Sequence, residues 1–186
     1  MVPQSKARQA VLSLTLLTAV AASLTAAPGA DGLFGAFLAT LMLAIAIADA
    51  DRYIIPNELT GAAVALALLR AGMVGPDAGW EGVLWAMGRA AAVALPLLIL
   101  MEGYRRWRGR DGLGLGDVKL AGVLGAWLGW ATIFAALEAA TLAAIAAYLV
   151  HALVHRRPLR GTAFLPFGSF LAPAIWLGWL AEALLY

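Results

Sequence analysis

Residues 32–50, GLFGAFLATLMLAIAIADA, decide the fold class of this chain. No charged side chain occurs in this stretch before Asp49. A run of about 20 apolar residues is long enough to cross the hydrocarbon core of a bilayer as a helix. Asp49 therefore stands at the end of a predicted membrane-spanning helix. A carboxylate beside hydrocarbon is costly, which makes Asp49 a candidate functional residue.

Six other apolar segments have the same character. The 186-residue chain is 63% hydrophobic and 13% charged, whereas a soluble domain is about half apolar. We therefore predict an all-α, polytopic transmembrane helix bundle that forms a single domain over residues 1–186. An alternative of six spans, with the fifth and sixth fused or re-entrant, stays open because residues 129–131 form a weak turn. The predicted spans cover approximately 9–27, 32–50, 58–74, 83–102, 117–130, 132–151 and 167–185.

Composition also excludes several classes of function. The net charge is only +2, and the basic residues lie in short loops, so no nucleic-acid partner is expected. The chain has no cysteine, which excludes disulfides, thiol nucleophiles and zinc sites with cysteine ligands. His151 and His155 lack the spacing to acidic residues that a metal site needs. We therefore expect neither a metal nor a cofactor.

The distribution of loop charges predicts the orientation of the bundle. Basic loops favour the cytoplasmic side of a membrane. With seven spans and a cytoplasmic N-terminus, every basic loop falls on that side, whereas six spans would place the last one outside. Asp49 and Asp117 then lie at the same cytoplasmic edge. The predicted cytoplasmic basic residues are Lys6, Arg8, Arg52, Arg105, Arg106, Arg108, Arg110, His155, Arg156, Arg157 and Arg160.

The outer half of the bundle is predicted to carry charged and aromatic side chains. Arg89 and Glu138 lie within apolar segments, where they either snorkel to the interface or pair with each other. Arg70 and Glu182 lie in the same half. An aromatic belt near the outer interface is predicted, made of Trp80, Trp85, Trp127, Trp130, Trp176 and Trp179.

The second candidate acid is Asp117, in the segment GLGLGDVKLAG at residues 112–122. The alternate glycines before it predict a flexible or closely packed approach loop. A simpler role for Asp117 is to cap the next helix, and Asp49 with Asp51 could simply form a solvated helix end. Lys119 could pair with a lipid phosphate, with substrate or with one of the acids. Small residues at 121, 125 and 129 predict close helix packing.

Three segments together resemble the signature of type IV prepilin peptidases, which belong to the Gly-x-Gly-Asp group of intramembrane aspartyl proteases. They are IADADRYIIPNELT at 47–60, GLGLGDVKLAGVLGAWLG at 112–129 and LPFGSFLAP at 165–173, and the resemblance covers roughly residues 35–180. It implies that Asp49 and Asp117 are the catalytic pair and that Asp51 is not. It also implies a substrate-binding or site-shaping role for Pro56, Asn57, Gly114, Gly116, Lys119, Pro166, Phe167 and Gly168.

The resemblance further implies a substrate and a location. The substrate would be a prepilin or pseudopilin helix, cut after a glycine between its basic cytoplasmic leader and its apolar segment. The enzyme would lie in the bacterial inner membrane among lipids, with its site facing the cytoplasm. Longer members carry an N-terminal domain with paired Cys-x-x-Cys motifs linked to methylation. This chain resembles the short, peptidase-only form, so we expect no methyltransferase activity and no zinc. The oligomeric state is not predicted.

The expected mechanism follows from two close carboxyls, which cannot easily both ionise and so share one proton. Helix dipoles suggest that Asp117, near a helix N-terminus, starts as the base and that Asp49 starts as the acid. Three alternatives stay open. One is another Gly-x-Gly-Asp protease that acts on signal peptides. The second is a proton-coupled transporter, which would place its acids near the middle of the membrane. The third is a structural assembly factor.

Overall fold

The computed structural model describes residues 5–75, 77–109, 112, 114–156 and 165–185. All of the regular structure within these ranges is helical. The basic residues Arg110, Arg157 and Arg160, which entered the orientation argument, lie outside the described residues. Seven helices follow one another in the described chain: α1 Lys6–Ala26, α2 Ala30–Arg52, α3 Asn57–Met73, α4 Trp80–Arg108, α5 Leu115–Trp127, α6 Trp130–Val154 and α7 Gly168–Leu185.

Each predicted apolar segment corresponds to one of these helices. The fused alternative is wrong, because α5 ends at Trp127 and α6 begins at Trp130. Five helices, α1, α2, α4, α6 and α7, are long and apolar enough to cross a membrane, which makes this an integral membrane protein. The other two are shorter. At about 1.5 Å per residue, the 13 residues of α5 extend about 20 Å, less than the hydrocarbon thickness of about 30 Å.

The short helix α5 lies at the centre of the bundle. It packs against α3, α4 and α7, and every residue from Leu120 to Trp127 is buried. The predicted close packing occurs at Gly125, where a methyl group would lie 2.6 Å from the Arg89 carbonyl oxygen and 2.9 Å from Ala90 Cα. The lack of a side chain at Gly125 therefore allows the backbone of α4 to pack closely against α5. The predicted small-residue spacing also included Gly129, which lies beyond α5 and precedes α6.

The prediction of an outer aromatic belt is wrong for two of its six tryptophans. Trp127 and Trp179 are 1% and 0% exposed and belong to the hydrophobic core. Trp179 packs directly on Gly35, where any side chain would overlap its indole ring, and this contact joins α2 to α7. Apolar side chains look alike in the sequence whether they face lipid or protein, so their positions alone do not separate belt from core.

Candidate active site

Asp49 and Asp117 line the same cavity. Asp49 is in the last turn of α2 and is only 5% exposed, while Asp117 is in the first turn of α5. The helix ends that carry them meet at one end of the bundle, as the prediction of a common membrane depth required. The cavity has a volume of about 520 Å³ and is lined by Asp49, Tyr53, Ile54, Ile55, Asn57, Gly112, Gly114, Leu115, Gly116, Asp117, Lys119, Leu165 and Phe167.

The N-terminus of α7 holds the Asp49 carboxylate. The backbone N–H of Ser169 donates to Asp49 Oδ2 at 2.8 Å. A methyl group on Gly168 would lie 3.0 Å from the same oxygen, so glycine lets the helix end approach the acid. A backbone N–H at a helix N-terminus stabilises an ionised carboxylate. The sequence singled out Pro166, Phe167 and Gly168 but not this donor.

The residues before Ser169 shape the turn that aims its N–H. The Pro166 carbonyl accepts the Ser169 hydroxyl at 2.7 Å, and the Phe167 carbonyl accepts the N–H of Leu171 at 3.0 Å. Phe167 also lines the cavity. Phe167 therefore lines the cavity, Gly168 lies against Asp49, and Pro166 belongs to the turn that precedes them.

Asp117 occupies a different electrostatic setting. Burial and the nearby charge of Asp49 raise the pKa of the Asp117 carboxyl to about 6, and a hydrogen bond from the Gly114 backbone offsets this only in part. Gly114 precedes the helix as its N-cap, and a methyl group there would lie 3.1 Å from Asp117 Oδ2. Below pH about 6 this setting favours the protonated form of Asp117, whereas the helix dipole from which Asp117 was assigned as the base favours the ionised form.

Ile55 is a central apolar contact that the sequence did not single out. Its side chain is 8% exposed. Methyl groups on Gly116 and on Gly168 would lie 3.0 Å from its Cβ and 2.6 Å from its Cδ1, respectively. Ile55 therefore packs between the helix ends that carry the two site glycines. The turn before Pro56 contains two consecutive isoleucines, Ile54 and Ile55, and the sequence does not mark Ile55 as the buried one.

Asn57 and Lys119 connect α3 to α5 at the rim of the cavity. Lys119 Nζ donates to Asn57 Oδ1 at 2.7 Å. The N-cap of α3 is Pro56, and no side chain caps this helix. Thr60 instead donates back to the Pro56 and Asn57 carbonyls. Among the described contacts, Lys119 is thus committed to an amide rather than to either acid.

Asp51 differs from Asp49 because it forms an ion pair with Arg8. Arg8, in the first turn of α1, donates to both Asp51 carboxylate oxygens at 2.7 and 2.8 Å. Both side chains are more than a third exposed, whereas Asp49 is buried in the cavity wall. The structure therefore supplies the distinction that residue spacing alone left open between these two aspartates.

Metal binding has no visible basis at this site. Across the residues that the structure describes, no three His, Cys, Asp or Glu side chains are grouped closely enough to hold an ion. The polar side chains that line the described cavity are two carboxyls, a phenol, an amide and an ammonium. Such a set suits proton transfer to and from a bound water and an amide bond.

Sequence comparison places this arrangement in a family. The family model described as "Type IV leader peptidase family" matches residues 36–153, which include both aspartates. The chain belongs to the type IV leader peptidase family. The match also spans Pro56, Asn57 and Lys119, so the cavity of this family member is built largely from the matched segment. No solved structure matches the chain.

Curated relatives carry the name prepilin leader peptidase/N-methyltransferase. The protein from Aeromonas hydrophila is 33% identical over 168 residues, covering 90% of this chain and 56% of the relative. The protein from Klebsiella pneumoniae is 37% identical over 105 residues, covering 56% of this chain and 44% of the relative. The chain thus spans about half the length of the curated relatives it matches.

Proposed function

We propose that this protein is an intramembrane aspartyl endopeptidase that removes the leader peptide of prepilin-like or pseudopilin substrates. The observation that carries the proposal is the meeting of Asp49 and Asp117 in one cavity at the ends of α2 and α5. Two adjacent carboxyls suit peptide hydrolysis, and we propose that activity alone. A proton-relay transporter is less well supported, because the acids lie at helix ends and not in mid-helix.

The reaction follows from the different settings of the two acids. Asp49 starts ionised, since the Ser169 N–H stabilises its carboxylate. Asp117 starts protonated at pH values below its raised pKa of about 6. Asp49 takes a proton from water, and the water oxygen attacks the scissile carbonyl carbon. Asp117 gives its proton to the carbonyl oxygen at the same stage.

Collapse of the resulting tetrahedral intermediate completes the cycle. The proton held by Asp49 passes to the leaving nitrogen as the C–N bond breaks. The proton on the intermediate's hydroxyl returns to Asp117 as the new carboxyl forms. The site ends in its starting protonation state, with one proton shared by a coupled pair.

The substrate class is proposed from the relatives' name and from the position of the cavity. A prepilin presents its leader junction at a membrane edge, and this cavity opens at the helix ends that carry Arg52 and Asp117. We propose the cytoplasmic edge of a bacterial inner membrane, as the basic loops favour. Membrane lipid surrounds the bundle, and the substrate enters as an apolar helix with a basic leader.

Incubation of the purified protein with a prepilin tests the proposal directly. The substrate should carry its basic leader and its apolar helix, and mass spectrometry should read the new N-terminus. We expect one cut at the junction between leader and apolar helix. A substrate that stays intact under conditions in which the protein is folded would contradict the proposed activity.

A further inference from the structure

The far end of α5 lies inside the bundle. The helix is about 20 Å long, and its last residues are buried. Its end is followed by Leu128, which is 0% exposed, and by Gly129. The last carbonyls of one helix and the first N–H groups of the next have no partners within their own helices, so other groups must satisfy them.

Two charged side chains form hydrogen bonds with the backbone around the junction between α5 and α6. Arg89 on α4 donates from Nε to the carbonyl of Gly125 at 3.3 Å. Glu182 on α7 accepts the backbone N–H of Gly129 at 2.8 Å through Oε1. Of the two alternatives for Arg89 and Glu138, the described contacts do not include a pair between them: Arg89 contacts the backbone, and Glu138 is exposed. Arg89 also lies within Coulombic range of Glu182.

Two further contacts fix the same end of α5 against α3. The indole N–H of Trp127 donates to the carbonyl of Ala63 at 3.0 Å. The guanidinium of Arg70 lies 5.6 Å from the centre of the Trp127 ring, within the range of a cation–π contact. Arg70 itself forms an ion pair with Asp31 on α2. Three helices, α3, α4 and α7, thus contact this end of α5 and the turn after it, and α2 is joined to α3 through Asp31.

We propose that Arg89 and Glu182 are positioning residues for Asp117. A helix transmits a displacement along its axis as a rigid rod, so a shift at Gly125–Gly129 moves Asp117 at the other end. The backbone groups that they contact, at Gly125 and Gly129, follow Asp117 by about 8 and 12 residues, or roughly 12–18 Å at the helix rise. Among the described contacts, neither side chain bonds to a residue that lines the cavity, so their effect on it passes through α5. This inference rests on the proposed peptidase function.

The test compares variants that remove each backbone contact with variants that keep it. Arg89→Met and Glu182→Leu remove the contacts, whereas Arg89→Lys and Glu182→Gln retain a donor and an acceptor. Glu138→Leu is the matched control, because it removes an exposed acid from the membrane helix α6. Each variant is made in the full chain and measured for kcat, KM and the pH profile of prepilin cleavage.

The contact-removing variants should lower kcat by about tenfold or more with KM little changed, since a misplacement on the order of 1 Å can cost about a hundredfold in rate. Their pH profiles should shift, because the distance between the two carboxyls changes. Glu182→Gln and Glu138→Leu should behave like the original protein. An unchanged kcat in Arg89→Met and Glu182→Leu overturns the inference. A fall in kcat that only follows the folded fraction, with an unchanged pH profile, also overturns it.

A readout independent of activity separates this inference from the proposed function. The chain has no cysteine, so Leu115→Cys places a single thiol at the cavity end of α5. The rate of its reaction with a water-soluble maleimide should change several-fold when Glu182→Leu is added and should not change with Glu138→Leu. If the original protein cleaves no prepilin but the labelling rate changes as expected, the peptidase proposal fails and the positioning role stands. If the labelling rate is the same in all three proteins, the positioning role fails.

Discussion

The backbone N–H of Ser169 donates a hydrogen bond of 2.8 Å to the carboxylate of Asp49, across 120 residues of sequence. This contact joins the N-terminus of α7 to the end of α2. It places the partial positive charge of a helix N-terminus beside the Asp49 carboxylate. The C-terminus of α2, where Asp49 lies, would otherwise disfavour that negative charge. The third signature segment is thereby part of the carboxylate site and not only a neighbouring turn.

Replacing Gly168 with alanine tests the need for that close approach. The new methyl group would lie 3.0 Å from Asp49 Oδ2 and 2.6 Å from Ile55 Cδ1, so the acid or the isoleucine must move. We expect kcat for prepilin cleavage to fall by about tenfold or more, with a smaller effect on thermal unfolding. Gly61→Ala is the control, since nothing lies within 4 Å of the added methyl group in α3. Equal activities of the two variants would contradict the assigned role of Gly168.

The raised pKa of Asp117 predicts the direction of the pH dependence. Asp117 keeps its proton below its pKa of about 6 and loses it as the pH rises further. Cleavage should therefore decline on the alkaline side of that value, by up to about tenfold per pH unit. The folded state also holds a proton that an unfolded Asp117 would release above 3.8, so this group makes folding less favourable as the pH rises from there toward 6. A pH profile of kcat/KM measures the effect on cleavage. A rate that rises as the pH increases above about 6 would contradict the prediction.

The contact between Asn57 and Lys119 predicts an energetic coupling between α3 and α5. Asn57→Ala and Lys119→Met, alone and together, form a double-mutant cycle. A hydrogen bond to a charged group contributes about 1.5–3 kcal/mol, and partial exposure reduces this, so we expect a coupling free energy of about 1 kcal/mol. Denaturant unfolding of the four proteins measures it. Strictly additive effects would show that the 2.7 Å contact contributes nothing to stability.

The orientation in the membrane can be measured with single cysteines. Arg108→Cys and Trp80→Cys place thiols at opposite ends of α4, where both side chains are exposed. A maleimide that does not cross membranes should label position 108 from the cytoplasmic side and position 80 from the outer side, as the basic loops predict. The reverse pattern would contradict the cytoplasmic location of the cavity.

The sequence predicted the helices well because hydropathy and helix breakers act locally. The end of α2 before Pro56 and the start of α5 after Gly114 follow from such local signals. The segments that carry Asp49 and Asp117 were identified in the same way. Their meeting in one cavity also followed from the loop charges, which placed both acids at one membrane edge.

Local hydropathy and helix breakers did not predict the contacts between segments that are distant in the sequence. The partners Ser169 for Asp49 and Arg8 for Asp51 depend on how helices pack, and no pattern in the sequence encodes that packing. The burial of Trp127 was missed for the same reason, because a tryptophan near an expected interface fits lipid and core equally well. The assignment of base and acid from the sequence used helix dipoles alone, whereas the structure adds the burial of Asp117 and the Ser169 donor to Asp49.

The account of the site depends most on the joint action of Asp49 and Asp117. The decisive measurement is the cleavage rate of a prepilin by four purified variants: Asp49→Asn, Asp117→Asn, the double variant and Asp51→Asn. We expect the first three to lose cleavage by on the order of a thousandfold or more, with the double variant no worse than either single one. Asp51→Asn should retain cleavage, since it removes only an exposed ion pair. Retained cleavage in folded Asp49→Asn or Asp117→Asn would contradict the two-carboxylate mechanism.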